Sequence, residues 1–494
     1  MGREHKGIQV RRRDFLKTTT LAGMAATIPV KGLAGREIAG TMKPSPEGTK
    51  RVLLFLSDSP TTYEALAESI KSIKEYDFLV SPIQVDYQKP QEVVQSIQGK
   101  DADILFMCLP RIGIRSAHLA EAMADLNVPV ILLPPNLDLI MLEADLAAAF
   151  RAKGVNAMLA NSEMHAIELI KIAAAPRILE GKRAVIFGRP FDSSSVPAHN
   201  LSEDYIYERT GVTIKYRSID ELKSLLEGVD ETSAREEMDR WKGEAVNVVE
   251  PSDKAILDAC KLYVLLRSIA DKEGLSAISI DCLSFTFGNN PILPYPCLSF
   301  TRLRDEGIAA PCEADVCMLL SSLLLEAISR KPSYFSNVSS VNIQKSSTVL
   351  RHCVAPLNLL GAGSSPLPYN LRDYHGMGRG VVPEVEFPIG VEITMGGFSK
   401  DLRDFVLWPG RIQAGVKDTD RPSFENAPPE YQKMRMFCSN RAEVKIKDTY
   451  RFLQSIAGIH HVMVAGSYTK EIYDAMLRMN VNVIAPPDSA APEV

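Results

Sequence analysis

The patterning of this chain predicts an α/β fold: two doubly wound parallel-sheet domains followed by a β-rich, mainly antiparallel C-terminal domain. Three observations carry that expectation. From Arg51 to Asp281, short apolar runs bounded by turn residues alternate with stretches of helical spacing, and strands separated by helices build parallel sheets. The alternation restarts at Arg183 after one long helical segment. Beyond His352, helical spacing gives way to short β-rich runs between Pro/Gly-rich turns.

In chain order, Arg11-Arg12-Arg13-Asp14-Phe15-Leu16-Lys17 precedes an apolar stretch from Leu21 to Ile28 and the small residues Gly32 and Ala34. Residues 1–34 resemble a twin-arginine export signal, which implies a periplasmic or other extracytoplasmic protein; the plainer reading is a basic tail. Residues 35–50 form a linker. The first α/β domain, 51–180, takes its strands from Arg51–Leu56, Asp103–Cys108 and Val128–Leu133, and its helices from Tyr63–Tyr76, Ser116–Ala124 and Glu163–Leu179. The second, 181–345, opens on the strand Arg183–Gly188. It continues through Gly211–Tyr216, a helix over Ser252–Lys272 and the strand Ala277–Asp281. The C-terminal domain, 346–494, holds β runs at Val381–Phe387, Gly390–Met395, Phe405–Ile412 and Met434–Cys438. It closes with a helix from Asp448, a His460-His461 strand, a helix over Lys470–Met479 and the run Val481–Ile484.

A length of 494 residues fits about three domains. With 46% hydrophobic and 24% charged residues, the composition excludes disordered, collagen-like and membrane classes. The net charge is −5. Without residues 1–34 there are 49 basic against 59 acidic residues, a net −10 that disfavours nucleic acid as a partner. No run beyond the N-terminus reaches the roughly 18 apolar residues of a membrane span. The eight cysteines contain no Cys-x-x-Cys pair and sit among apolar neighbours, so buried free thiols are expected and no thiolate zinc site.

The residues suited to chemistry are scattered. Pro311-Cys312-Glu313-Ala314-Asp315-Val316 sets a carboxylate at the head of a long apolar helix, Ser333–Val338 reads as a strand, Arg351-His352-Cys353 lies on the next, and Gly458–Gly466 carries His460-His461. By themselves these residues have ordinary readings. Glu313 and Asp315 are helix N-terminal acids facing the macrodipole. His352 is a core histidine, and His460 and His461 point to opposite sides of a strand, so at most one of them ligates the same ion. Asp281 ends an apolar strand, where open α/β sheets present ligand groups and where aspartates also cap turns. His375 lies in the glycine-rich Asp373–Gly380 segment, a turn or a loop that closes over a ligand. That segment neither follows a strand nor opens a helix, which rules out a dinucleotide fingerprint.

From about Ala277 onward, the order of these residues resembles the L-fucose and L-arabinose isomerase superfamily. The resemblance implies a divalent metal such as Mn2+, an aldose–ketose isomerisation of a small sugar through an ene-diol, and a homo-oligomer, trimeric or hexameric. Under it, Glu313 is the first metal acid and the base. His352 and His461 are the histidine ligands, with His460 either behind them or in contact with substrate; Asp281 and His375, from their own places at a strand end and in a glycine-rich loop, are the further candidate substrate contacts. Where the family has a second carboxylate, 24 residues after the first, this chain has Asn337, whose amide oxygen can ligate but cannot act as a base. An exported, non-catalytic carbohydrate-binding homologue is the other reading the resemblance allows.

Overall fold

A computed structural model of the protein describes residues 51–487 apart from 59–63, 72–77, 110–115, 127, 135–139, 175–177, 192–200, 287–292 and 416–437. The export-signal expectation at residues 1–34 and most of the strand expected at 434–438 lie outside the described residues.

The first sheet is parallel: β1 (Arg51–Ser57), β2 (Phe78–Gln84), β3 (Ile104–Cys108), β4 (Val130–Leu133) and β5 (Ala157–Leu159), in the order β2-β1-β3-β4-β5. Its middle strands read as unbroken apolar runs because they are covered on both faces. Leu53, Phe55, Phe106 and Ile131 pack with α1 (Glu64–Lys71) and α5 (Glu163–Ala174). The alternate residues Leu54, Leu105, Met107 and Leu132 pack with α2 (Pro90–Ile97), α3 (Ser116–Met123) and α4 (Met141–Ala152).

The second sheet is also parallel, with β6 (Arg183–Phe187) between β7 (Thr213–Arg217) and β9 (Ala277–Ile280). Its helices begin where the sequence supplies caps. Ser202 and Ser218 each accept a backbone N–H at the heads of α6 (Glu203–Thr210) and α7 (Ile219–Glu227). After α8 (Glu231–Glu244) and the short strand β8 (Asn247–Val248), Ser252 caps the long α9 (Asp253–Glu273), and Gly274, at φ +61°, ends it.

After α10 (Leu283–Thr286), α11 (Cys297–Asp305) and α12 (Val316–Ser329) comes an antiparallel sheet. It consists of β10 (Tyr334–Asn342), β11 (Ser347–His352), β14 (Glu392–Phe398), β15 (Asp404–Gly415), β16 (Asn440–Ile446) and β17 (His460–Ala465). The order is β14-β17-β10-β11-β16-β15, and β15 pairs back onto β14, so the sheet closes into a barrel. β10, inside the segment expected to belong to the second α/β domain, is a barrel strand paired with β11 and β17. A small sheet joins β12 (Tyr369–Arg372) to β13 (Val382–Val385) and β8, while β18 (Asn482–Ile484) runs parallel beside β15. One face of the barrel strands buries Trp408, Met395 and Met463 with Phe452 of α13 (Thr449–Ser455). The other presents Val462, Val464 and Phe405 to α12 and α14 (Thr469–Arg478). α12 is nearly uniformly apolar because it is enclosed: Leu319, Leu320, Leu324 and Leu325 have no exposed surface. Among the described residues no helix is long and apolar enough to cross a membrane.

Candidate metal centre

The site starts from a strained turn. Glu313 and Ala314 both have left-handed backbones, at φ +63° and +54°, a conformation that costs an L residue on the order of 1 kcal/mol or more. The turn is pinned from the second sheet. Ser279 on β9 donates its hydroxyl to the Pro311 carbonyl at 2.6 Å and accepts the Ala314 N–H at 3.1 Å, while Phe191 donates its N–H to the Ala314 carbonyl at 3.0 Å. Immediately after, Asp315 caps α12, accepting the Met318 N–H at 3.0 Å. The left-handed pair thus lets the Glu313 carboxylate leave the helix axis while Asp315 stays to start the helix.

The barrel supplies two rings. His352 ends β11 and His460 begins β17, on either side of β10. The Glu313 carboxylate lies between them, Oε1 at 3.2 Å from His352 Nε2 and Oε2 at 3.2 Å from His460 Nε2. On the far side of His460, Nδ1 is 2.9 Å from Asp315 Oδ2; a carboxylate only accepts, so this nitrogen is the donor. The Phe335 ring packs against both imidazoles, 4.7 Å from His352 and 4.5 Å from His460 between centroids, and makes the wall apolar.

Burial and charge oppose each other here. Burial alone would push the Glu313 carboxyl up, yet hydrogen bonds from His352 and His460 hold it well below the usual carboxylate range. Burial would likewise lower His460, but Asp315 and Glu313 at its two nitrogens outweigh it and raise the ring to about 9. Asp315 is lowered in spite of full burial, through His460 and the Lys400 ammonium 3.9 Å away.

Glu313, His352 and His460 present a carboxylate oxygen and two imidazole nitrogens that lie within 4.8 Å of one another. This donor set fits a divalent cation that takes mixed oxygen and nitrogen ligands. Asp315 behind His460 is the outer partner that fixes the tautomer and orientation of a ligating ring. Asn337 faces His460 in the β10–β17 register and lines the same cavity of about 180 Å³, and its buried Oδ1 has no hydrogen-bond partner. An orphaned acceptor at this position also suits a cation.

The structure corrects one expected ligand. His461 lies on the other side of β17, fully buried beside Phe452 with neither ring nitrogen hydrogen-bonded. Burial, and next the neighbouring positive His460, push its pKa down to about 4. The ring that meets Glu313 is His460. Asp281 directly follows β9 and accepts the Arg189 N–H at 3.4 Å, whereas its neighbours Cys282 and Leu283 line the cavity. His375 reaches the cavity, with Nε2 3.0 Å from the Cys353 thiol. Sequence reasoning missed two features. The first is Asp315 as the partner of His460, for which the two-residue spacing from Glu313 was the available signal. The second is the grouping of Cys353, His375 and Cys438, whose members are too far apart in the chain to signal each other.

No family model matches this chain, and no curated protein does. Among solved structures, a dinucleotide-forming acetyl-coenzyme A synthetase 1 from Ca. Korarchaeum cryptofilum, in complex with phosphate and ADP, is 13% identical at a TM-score of 0.22, over 57% of this chain and 65% of that one. The apo D-lactate dehydrogenase of Escherichia coli is 10% identical over 57% and 79%, at a TM-score of 0.17. The transcription regulator CcpA of Lactococcus lactis is 15% identical over 56% and 92%, at a TM-score of 0.15. The chain therefore spans less than two thirds of the first of these structures. Similarities this low carry no argument about fold or function.

Proposed function

We propose that the chain is a metal-dependent, carbohydrate isomerase-like enzyme that moves a proton between neighbouring carbons of a small sugar through an ene-diol. The observation that carries this reading is the Glu313 carboxylate set between the Nε2 atoms of His352 and His460 at 3.2 Å each, with Asp315 behind His460. Glu313, His352 and His460 would hold a divalent cation such as Mn2+, with the Asn337 amide oxygen beside them. Such an ion, when bound, polarises adjacent sugar oxygens. Asp315 keeps the His460 ring oriented and its Nε2 directed at Glu313. Glu313 is also the carboxylate at the cavity able to accept a proton from a carbon next to a carbonyl. Asn337 can position a hydroxyl by hydrogen bonding and carries no charge to move. The Phe335 wall limits water around the carboxylate, which strengthens each polar contact there.

The same reading includes the finer architecture of two doubly wound units ahead of the barrel, export by the twin-arginine route to the periplasm, and a trimeric or hexameric assembly. To test it, bound metal and aldose–ketose exchange are measured across a sugar panel on the purified protein supplied with manganese, for the native chain and Glu313→Gln. The expected result is manganese bound by the native chain and exchange lost in the variant. A native chain that binds no divalent metal and converts no sugar would overturn the proposal.

One observation favours a second reading, a carbohydrate-binding homologue without turnover: the neutral Asn337 stands opposite His460 in the strand register. Its signature is thermal stabilisation by a sugar without any exchange.

A further inference from the structure

Beside the carboxylate–imidazole cluster, the cavity holds a group of sulfur donors. Cys353 follows β11, His375 lies in the loop after β12, and Cys438 stands two residues before β16. The Cys353 thiol is 3.0 Å from His375 Nε2, and one donor atom from each of the three residues lies within 4.8 Å of the other two. Cys297, at the head of α11, lines the cavity beside them. All four residues line the cavity.

The positions of these donors are fixed by structure around them. Asn440, fully buried on β16, donates its amide to the Cys353 carbonyl at 3.0 Å and to the Pro383 carbonyl at 2.9 Å, and accepts the Val385 N–H at 2.7 Å. It ties the strand after Cys438 to the residue that carries the second thiol. The His375 loop is organised by Asp373, whose carboxylate accepts the N–H groups of Gly376 at 3.1 Å and Gly378 at 2.7 Å. His375 itself is left-handed, at φ +55°, with its ring 4.2 Å from that of Tyr374. A non-glycine residue is held in that conformation only when its surroundings over-determine it.

Tetrahedral zinc binds thiolate sulfur at about 2.3 Å and imidazole nitrogen at about 2.0 Å. Donors around one such ion are then separated by roughly 3.3–3.8 Å, so the three residues need shifts of an ångström or less to share it. Two or three thiolates and an imidazole are soft donors that select zinc-like ions over manganese, which prefers carboxylate and water.

We propose that Cys353, His375 and Cys438, with Cys297 as the fourth donor, form a second metal site that takes a thiophilic divalent cation of the zinc class, separate from the Glu313 centre. Binding forms metal–sulfur bonds as the thiol protons leave to solvent; no electron transfer is involved. The two centres share a wall, because His352 ligates one and the next residue, Cys353, ligates the other. The Glu313 centre would carry the chemistry, and the sulfur site would clamp β11, the His375 loop and the start of β16 around it.

The test is cobalt(II) titration of the full-length protein, purified under reductant and free of chelator. One equivalent should produce a thiolate-to-cobalt charge-transfer band with tetrahedral d–d absorption, and zinc should displace it. Cys353→Ser and Cys438→Ser should each diminish the band, whose intensity follows the number of cobalt–sulfur bonds, and weaken zinc binding at least about tenfold, since losing a ligand costs no less than losing an outer partner. Glu313→Gln should keep the band, and Cys438→Ser should keep manganese binding, so failure of this site and failure of the isomerase reading are told apart. The proposal is overturned by native protein that gives no thiolate band, by a band undiminished in both serine variants, or by a Cys353–Cys438 disulfide found by mass spectrometry in the reduced, metal-supplied protein. Should a serine variant lose its far-ultraviolet circular dichroism, His375→Ala reads the same band.

Discussion

Asp315 does two tasks with two oxygens, capping α12 through Met318 and holding His460 through Nδ1. Asparagine can keep the cap with its one oxygen, but it then turns an NH2 donor towards His460 Nδ1, where the carboxylate had supplied an acceptor. Asp315→Asn should therefore lower manganese affinity about 10–100-fold and lower the melting temperature too, because the buried His460 loses one of its two carboxylate partners, as read by chelator competition and a thermal scan on the same samples. The left-handed Ala314 is a second test. Ala314→Gly relieves backbone strain but frees the unfolded chain, so stability should change by less than about 1 kcal/mol. A third concerns Asp305, which accepts the N–H groups of Leu357 and Asn358 at 3.2 and 2.8 Å. Burial pushes its carboxyl up to about 6 from an ordinary 3.8, ahead of the lowering by those N–H groups. The folded state thus holds this proton more tightly than the unfolded one. Its contribution is most favourable below about pH 4 and is lost as the pH rises to about 6, a change of roughly 3 kcal/mol. The stability of the native chain relative to Asp305→Asn should fall across that window and stay level above it, measured by thermal melts at stepped pH. At this scale Glu313 and His352 were singled out by the resemblance, since their own placement also suited a helix-start acid and a core histidine. The sequence could not choose between His460 and His461, because which side of a strand faces inward depends on the sheet that encloses it.

Among elements, the barrel strands pack closely enough to exclude single methyl groups. A Cβ at Gly396 on β14 would lie 2.4 Å from the Phe405 ring and 2.9 Å from the Val406 carbonyl of the paired β15. Gly396→Ala should destabilise the protein by about 1–3 kcal/mol, visible as a lower melting temperature with manganese absent and present alike. The runs Gly390–Met395 and Phe405–Ile412 were legible as strands from composition and turn spacing. The membership of β10 in the barrel was not, since its partners β11 and β17 lie 5 and 118 residues further along the chain and pairing over the longer distance leaves no local trace. α12 shows the reverse case. Its nearly uniform apolar sequence was legible as a long helix, and its enclosure by the barrel explains why no polar face interrupts it.

For the molecule as a whole, the alternation of apolar runs and helical stretches foretold the parallel sheets and the antiparallel region after them. Spatial strand order, barrel closure and the gathering of Cys297, Cys353, His375 and Cys438 were invisible, because each results from contacts between distant segments. The proposed assembly predicts a particle mass by light scattering of three or six times the 54.4 kDa chain, less any processed leader; a mass of one chain at micromolar concentration would remove it. The anchoring of Glu313 has a consequence of its own. Its turn hangs from the Ser279 hydroxyl of the second parallel sheet, while both imidazoles belong to the barrel. A cation held by all three would act as a rivet across a seam, and drawing it out with a chelator should quicken amide hydrogen exchange in β9 and β17 together, as two plates loosen when a single fastener is removed.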